Sequence, residues 1–198
     1  VYSDSGLGKM SRIYHKIFRE RLCRGKFRDA VRPAVINNWE GTYYDFDEEK
    51  LIKIAERGAA VGLELFVIDD GWYGKRNDEK SSLGDWYMNK ERIPNGLDSL
   101  SKKINAMGMK FGIWVEPEMI SRDSDLYRKH PDWCIHANGR TRTENRHQLV
   151  LDISRREVRE YIINVLTEVF GSANIEYVKW DCNRNITETQ NTEQRHRF

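Results

Sequence analysis

The chain has 198 residues, and its 33 lysines and arginines nearly balance its 31 aspartates and glutamates. This balance gives no sign of a nucleic-acid or membrane-surface partner, and no apolar run approaches the roughly 18 residues that a membrane-spanning helix needs. The three cysteines, Cys23, Cys134 and Cys182, are odd in number and widely spaced. They argue against a disulfide framework or a zinc site and favour a reducing compartment, so we expect a cytoplasmic protein.

Helical and strand-like patterns alternate along the whole chain. Apolar spacing and short apolar runs predict, in chain order, helix 11–22, strand 34–36, helix 47–61, strand 65–68, helix 97–107, strand 110–115, strand 149–151, helix 155–170 and strand 175–180. Ser11 and Asp47 are the predicted N-terminal caps of the first two helices. The chain starts at Val1 without a methionine, which suggests that it was cut from something longer.

Strands that alternate with helices are parallel and are joined by right-handed crossovers, so this is an α/β fold. An open doubly wound sheet and a (β/α)8 TIM barrel both remain, but no glycine-rich nucleotide-binding motif follows the first strand. A complete barrel takes about 250 residues, so we predict a partial barrel with its first four or five βα units. Residues 1–30 are then a linker helix, 31–186 the N-terminal half of the barrel, and 187–198 a polar tail.

The predicted strands end in carboxylates or contain indoles near their ends. These residues are Trp39, Asp69, Asp70, Trp114 and Asp181. In a barrel the C-terminal strand ends meet on one face, which carries the active site. Carboxylates accept hydrogen bonds from sugar hydroxyls, and indole faces cover the apolar face of a sugar ring. The pattern favours a carbohydrate site, although turns and core packing explain the same residues singly.

Asp181 is the strongest candidate for a nucleophile. Lys179 precedes it by two residues and therefore points to the same side of the strand, where its charge keeps the carboxylate ionised. The structural alternative is that Asp181 caps a helix or pairs with Lys179. Glu116 and Glu118 are competing carboxylates, for which we favour pairing with a lysine or arginine.

Arg146 and His147 lie in an arginine-rich segment that the residues alone describe best as a solvated loop. His147 has no second ligand at metal spacing, so we predict no metal site and no cofactor.

Seven motifs occur in an order and spacing that resemble glycoside hydrolase family 36, the microbial α-galactosidases. They are VINNWEGTYYDF, FVIDDGWYG, LGDWYMNKERIPNGL, FGIWVEPEMIS, LYRKHPDW, RHQLVLDIS and YVKWDCNR. The resemblance extends from about Gly6 to Glu188, and seven ordered motifs are far more specific than any one of them.

The resemblance implies a role for each candidate residue. Asp181 matches the nucleophile that forms a covalent galactosyl-enzyme, and Asp69 and Asp70 match the carboxylates that hold the 4- and 6-hydroxyls of galactose. The remaining substrate-binding matches are Lys179 and Arg146 as sugar-binding cations, Asn183 near the 2-hydroxyl, and Trp39 and Trp114 as pocket walls.

The implied activity is retaining hydrolysis of terminal α-galactosides of the melibiose and raffinose type. The expected partner is a small-molecule or oligosaccharide α-galactoside, and the full-length enzyme is expected to be a homo-oligomer. The family's acid/base aspartate and its flanking β domains are not among these residues, so we expect little turnover from the isolated chain. Alternatives are a galactosyltransferase of the raffinose-synthase type, a non-catalytic sugar-binding fragment and a non-functional piece of an enzyme.

Overall fold

The computed structural model describes residues 2–137 and 139–187, and the chain divides into two compact units, 1–34 and 35–198. Apart from Thr187, the predicted polar tail lies outside the described residues. Among the described residues, no helix has the length and apolar character needed to cross a bilayer.

The first unit is a helix followed by two short turns. Helix α1 spans Gly6–Ile17 and continues into a π-helical turn, Phe18–Leu22, which is followed by a 3₁₀ turn at Lys26–Arg28. The helix begins earlier than predicted, so Ser11 is not its cap. Ser11 lies within α1, and its hydroxyl is 3.4 Å from a ring nitrogen of His15.

The second unit contains a sheet of four parallel strands in the order β1-β2-β3-β6. These strands are β1 Val35–Asn37, β2 Leu65–Ile68, β3 Lys110–Val115 and β6 Tyr177–Trp180. The helices of this unit are α2 Trp39–Thr42, α3 Glu48–Ala60, α4 Gly96–Ala106, α5 Asp125–Lys129 and α6 Arg156–Gly171, with a 3₁₀ turn at Pro131–Trp133. The predicted parallel α/β architecture is confirmed.

Burial on both faces explains the apolar runs in the central strands. Every residue of β2 is buried, as is usual for a parallel strand covered on both faces. Helices α3 and α4 pack on each other and on β2 and β3. The predicted cap of α3 is confirmed, because the Asp47 carboxylate accepts a hydrogen bond of 2.8 Å from the Lys50 backbone N–H.

The run at 149–151 forms a strand, but its predicted place among the parallel βα units is wrong. Strand β5, Gln148–Val150, pairs antiparallel with β4, Met119–Ser121, in a separate two-stranded sheet. The described sheet therefore has four parallel strands, and the short β4 was not predicted.

The strand register determines which side chains reach the carboxyl edge of the sheet together. Trp114 of β3 lies opposite Lys179 of β6. Asp69 and Asp70 follow the last residue of β2, and Asp181 follows the last residue of β6. Ligand sites of parallel sheets lie at this edge.

Candidate active site

A cavity of about 330 Å³ lies at the carboxyl edge of the sheet. Its lining consists of Trp39, Tyr43, Tyr44, Asp69, Asp70, Arg76, Glu79, Trp114, Glu116, Arg146, Gln148, Lys179, Asp181 and Asn183. All eight residues predicted for the site are among them. The structure therefore brings together residues from the ends of β2, β3 and β6, from α2 and from the segment before β5.

The Asp181 carboxylate is held in one orientation by three donors. The Trp114 indole N–H and the Asn183 side-chain amide donate to Oδ2 at 2.9 and 2.7 Å, and the Cys182 backbone N–H donates to Oδ1 at 3.0 Å. Burial acts to raise the pKa of Asp181, but the hydrogen bonds from Trp114, Asn183 and Cys182, together with the charge of Lys179, hold the pKa below its ordinary value. The group is therefore ionised at neutral pH, with Oδ1 the less occupied oxygen.

Lys179 pairs with Asp69 and not with Asp181. Its ammonium is 2.7 Å from Asp69 Oδ2, an oxygen that also accepts from the Asn37 side chain. Lys179 does lower the Asp181 pKa, but its effect is smaller than those of the donated hydrogen bonds.

Asp70 is enclosed by donors from the protein. The hydroxyls of Tyr44 and Tyr73 each lie 2.9 Å from one of its oxygens, and the Arg76 guanidinium donates to both oxygens at 2.9–3.2 Å. Arg76 is 2% exposed. A carboxylate has about four acceptor positions, and these donors occupy them. Asp69 and Asp70 thus lie side by side in very different surroundings.

Glu116 has polar partners of a different kind from those expected. Its oxygens accept from the Asn183 backbone N–H and from the Gln148 side-chain amide, the latter at 3.1 Å. Burial raises the pKa of Glu116, and the charges of Asp181 and Asp70 add to the rise against the hydrogen bonds from Asn183. The predicted pairing of Glu116 with lysine or arginine is wrong.

Glu118 has no basic partner within the described residues either. Both of its oxygens accept from the exposed Trp180 indole N–H at 3.0 Å. Successive side chains of a strand point to opposite faces, so Trp180 and Lys179 lie on opposite faces of the sheet.

Arg146 reaches the cavity from a two-residue turn with an unusual backbone. Asn145 and Gln148 hydrogen-bond to each other through their backbones, while Arg146 and His147 between them have φ of 53° and 57°. Such primed turns join hairpin strands but usually contain glycine or asparagine, because a Cβ is strained there. His147 lies 3.8 Å from Glu79. Arg146 is thus held at the cavity by a strained turn, although the segment 143–147 is exposed as expected for a solvated loop.

Comparisons with known proteins show the family of this chain. The Melibiase family model matches residues 1–197. The chain belongs to the melibiase family. It is 58% identical over 188 residues to α-galactosidase AgaA of Geobacillus stearothermophilus, which covers 95% of this chain and 26% of that protein. It is 48% identical over 188 residues to α-galactosidase Mel36A of Lactobacillus acidophilus, again covering 95% of this chain and 26% of the relative.

Solved structures of the melibiase family confirm the resemblance to family 36. The chain superposes on the crystal structure of the family 36 α-galactosidase AgaA with a TM-score of 0.91 and 56% identity, covering 98% of this chain and 27% of that one. Variants of AgaA have been crystallised with 1-deoxygalactonojirimycin, with stachyose and with raffinose. The chain spans about a quarter of the length of these relatives.

Several cavity residues of this melibiase-family chain were not predicted from the sequence. Tyr44 and Arg76 contact Asp70, Gln148 contacts Glu116, and Tyr43 and Glu79 line the wall. Arg76 had a readable signal, since an arginine six residues after an aspartate-rich strand end is a ready ion-pair partner. Within the described ranges, no group of three or more histidine, cysteine or acidic residues is arranged to hold a metal ion.

Proposed function

We propose that the protein containing this chain is a retaining α-galactosidase that cleaves terminal α-galactosides of the melibiose and raffinose type, with Asp181 as its nucleophile. The single observation that carries this proposal is the Asp181 carboxylate, which is held at Oδ2 by Trp114 and Asn183 in a cavity lined by all the predicted sugar-binding residues. The relatives named α-galactosidase, and the raffinose and stachyose complexes of AgaA, support the same substrate class.

In the first chemical step, Asp181 Oδ1 forms a bond to the anomeric carbon of the galactosyl group. The glycosidic C–O bond breaks, and its electron pair stays on the leaving oxygen, which takes a proton from a general acid. Water then gives a proton to the conjugate base and attacks the anomeric carbon, which releases galactose and the Asp181 carboxylate. A retaining pair of carboxyls is about 5–5.5 Å apart. We assign no described residue to the general acid/base.

Trp114 and Asn183 serve this step through the oxygen that does not attack. Two hydrogen bonds to Oδ2 keep the carboxylate ionised and fix its plane, so Oδ1 approaches the sugar from a constant direction. Proper orientation of reacting groups supplies a large part of the rate enhancement of enzymes.

Asp69 and Lys179 are the proposed direct contacts to galactose hydroxyls. Asp69 Oδ1 accepts only the Asp70 backbone N–H among the described donors, so it has room for a hydroxyl. The Lys179 ammonium has three protons and gives one to Asp69. Asp70 binds a hydroxyl only if Tyr44, Tyr73 or Arg76 gives way. Arg146, Trp39 and Trp114 complete the proposed sugar contacts, and Asn183 lies nearest the 2-hydroxyl.

The proposed architecture is a partial (β/α)8 barrel. The parallel strands follow each other in the sheet in chain order, which is the order in a barrel and not in a doubly wound sheet, where the order reverses. The homo-oligomeric state, the linker role of residues 1–30, the absence of nucleic-acid and membrane partners and the cytoplasmic location stay predictions.

The direct test is hydrolysis of an aryl α-galactoside by the full-length gene product. We expect turnover that is lost in Asp181→Asn and preserved in Asp123→Asn, whose carboxylate is exposed and pairs with Arg128 away from the cavity. An aryl α-glucoside is the substrate control. Equal hydrolysis of both sugars, or full activity of Asp181→Asn, contradicts the proposal. Product analysis at high acceptor sugar separates hydrolysis from galactosyl transfer.

A further inference from the structure

Glu116 is a buried carboxyl that the proposed reaction does not use. It directly follows β3 and is only 1% exposed. Among the described residues, no lysine or arginine lies within ion-pair distance of it, and its partners are an amide side chain and a backbone amide. A buried carboxyl without a counter-ion is costly, so its partners indicate what it does.

The first partner connects Glu116 to the nucleophile. The backbone N–H of Asn183 donates to Glu116 Oε1, and the side chain of the same asparagine donates to Asp181 Oδ2 at 2.7 Å. Glu116 thus fixes the backbone from which the Asn183 amide reaches Asp181. If that backbone shifts, the amide can no longer keep both its distance and its angle to Oδ2.

The second partner ties this arrangement to the antiparallel ribbon. The Gln148 side chain donates to Glu116 Oε2 at 3.1 Å, and the Gln148 carbonyl accepts from the buried Arg184 guanidinium at 2.8 Å. The segment 181–184 is therefore held to β5 at two points, by Glu116 acting through Asn183 and by Arg184. Each oxygen of Glu116 accepts one hydrogen bond from these partners.

We propose that Glu116 is a positioning residue that orients the nucleophile Asp181 through the backbone of Asn183. The inference rests on the proposed function of Asp181. Glu116 contacts neither the sugar nor the reacting oxygen in this assignment, and its positioning effect on Asp181 passes through Asn183.

The side-chain oxygen of Gln148, Oε1, leads to a specific prediction for the conservative variant Glu116→Gln. This buried oxygen has no hydrogen-bond partner among the described residues. In Glu116→Gln, the new amide keeps an oxygen for the Asn183 N–H, and its NH₂ can donate to Gln148 Oε1 once the Gln148 amide turns over. Glu116→Gln therefore rescues the contact that Glu116→Ala removes, whereas a proton-transfer role for Glu116 predicts that both variants are equally impaired.

The test compares these variants in the full-length gene product, with Glu118→Ala as the matched control at the same strand end. We expect Glu116→Ala to lower kcat on the order of 10- to 100-fold with little change in KM, because the proposed contacts of Asp69 and Lys179 to the sugar stay in place. Glu116→Gln keeps most of the activity, and Glu118→Ala keeps all of it. Should Glu116→Ala fail to fold, Glu116→Asp gives the same comparison, because the shorter side chain cannot reach both partners.

A second measurement is independent of turnover. The indole N–H of Trp114 donates to Asp181, so its NMR signal in the 198-residue chain reports the charge of that carboxylate. Both variants remove the charge of Glu116, but only Glu116→Ala releases the backbone of Asn183. We therefore expect the titration midpoint to be higher in Glu116→Ala than in Glu116→Gln.

Wild-type kcat in Glu116→Ala together with equal Trp114 titration midpoints in Glu116→Ala and Glu116→Gln overturns the proposal, as does an inactive Glu116→Gln. If the wild-type protein hydrolyses no α-galactoside, the proposed function fails, and the Trp114 titration alone decides whether Glu116 positions Asp181.

Discussion

The ammonium of Lys179 lies 2.7 Å from the carboxylate of Asp69, although Asp181 is only two residues away along the chain. Lys179 is on β6 and Asp69 follows β2, so the pair spans β3 between them. The cavity thereby separates two tasks. Lys179 and Asp69 form a polar pair for substrate hydroxyls, while the charge of Asp181 is maintained by neutral hydrogen-bond donors.

This separation predicts different pH profiles for two variants of the full-length protein. The nucleophile must be ionised, so the acid limb of kcat/KM reports the pKa of Asp181 in the free enzyme. Asn183→Ala removes a donor that lowers this pKa, and the limb moves to higher pH. Lys179→Met removes a charge with a smaller effect on the Asp181 pKa, so it moves the acid limb less. Its main effect is a higher KM, because Lys179 is a proposed contact to the sugar. A larger displacement of the limb in Lys179→Met than in Asn183→Ala contradicts this assignment.

The Asp70–Arg76 pair predicts a large loss of stability when only one partner is removed. Arg76→Met leaves a buried carboxylate without its cation, which typically costs about 3–5 kcal/mol. Adding Asp70→Asn removes the unpaired charge, so the double variant is more stable than Arg76→Met alone. Urea unfolding of the chain measures both differences. The opposing result is a double variant whose loss of stability equals the sum of the losses in Arg76→Met and in Asp70→Asn alone.

Gly71 predicts a steric effect at the loop that carries Asp69 and Asp70. Its φ is +106°, and an added Cβ meets the Arg92 guanidinium at 2.7 Å and the Phe46 ring at 3.1 Å. Arg92 cannot retreat freely, because it donates to the Gly71 carbonyl at 2.9 Å. Gly71→Ala is therefore expected to lower both stability and activity.

The matched control is Gly62→Ala, where φ is +86° and nothing lies within 4 Å of an added Cβ. It measures the backbone contribution alone, which is about 1–2 kcal/mol for a left-handed residue. Equal free energies of unfolding for the two variants contradict a steric role for Arg92.

The turn of Arg146 and His147 predicts a stabilising substitution. His147→Gly removes the Cβ that strains the left-handed backbone at φ 57° and should stabilise the chain by about 1 kcal/mol. Activity of the full-length protein should be nearly unchanged. Arg146→Gly relieves the same kind of strain but removes a cavity cation, so it gains stability and loses substrate affinity. A destabilised His147→Gly contradicts the strain.

The central strands and the carboxylates at their ends were predictable because both depend on local pattern. The run at 65–68 is buried on both faces, and its end places Asp69 and Asp70 at the sheet edge without further information. The same reasoning located Asp181 after β6. The motifs then joined Arg146 and Asn183 to the set, which no periodicity reveals.

The partners of these residues were not predictable, because they depend on side-chain reach across the sheet. Lys179 lies next to Asp181 in sequence but extends to Asp69, and Glu116 contacts Asn183 and not a lysine or arginine. The prediction that the run at 149–151 belongs to the parallel sheet was wrong for a related reason. Its pairing partner, β4, is a three-residue strand whose own pattern gives no signal of antiparallel pairing.

The most direct test of the proposed nucleophile is to identify the residue that becomes covalently bound to the sugar. The full-length protein would be incubated with an activated, fluorinated galactoside whose glycosyl-enzyme turns over slowly, digested, and analysed by peptide mass spectrometry. If Asp181 is the nucleophile, one labelled peptide carries the sugar on Asp181, and Asp181→Asn carries no label. A sugar attached to another carboxylate such as Glu116, or turnover by an enzyme that never acquires the label, would contradict it.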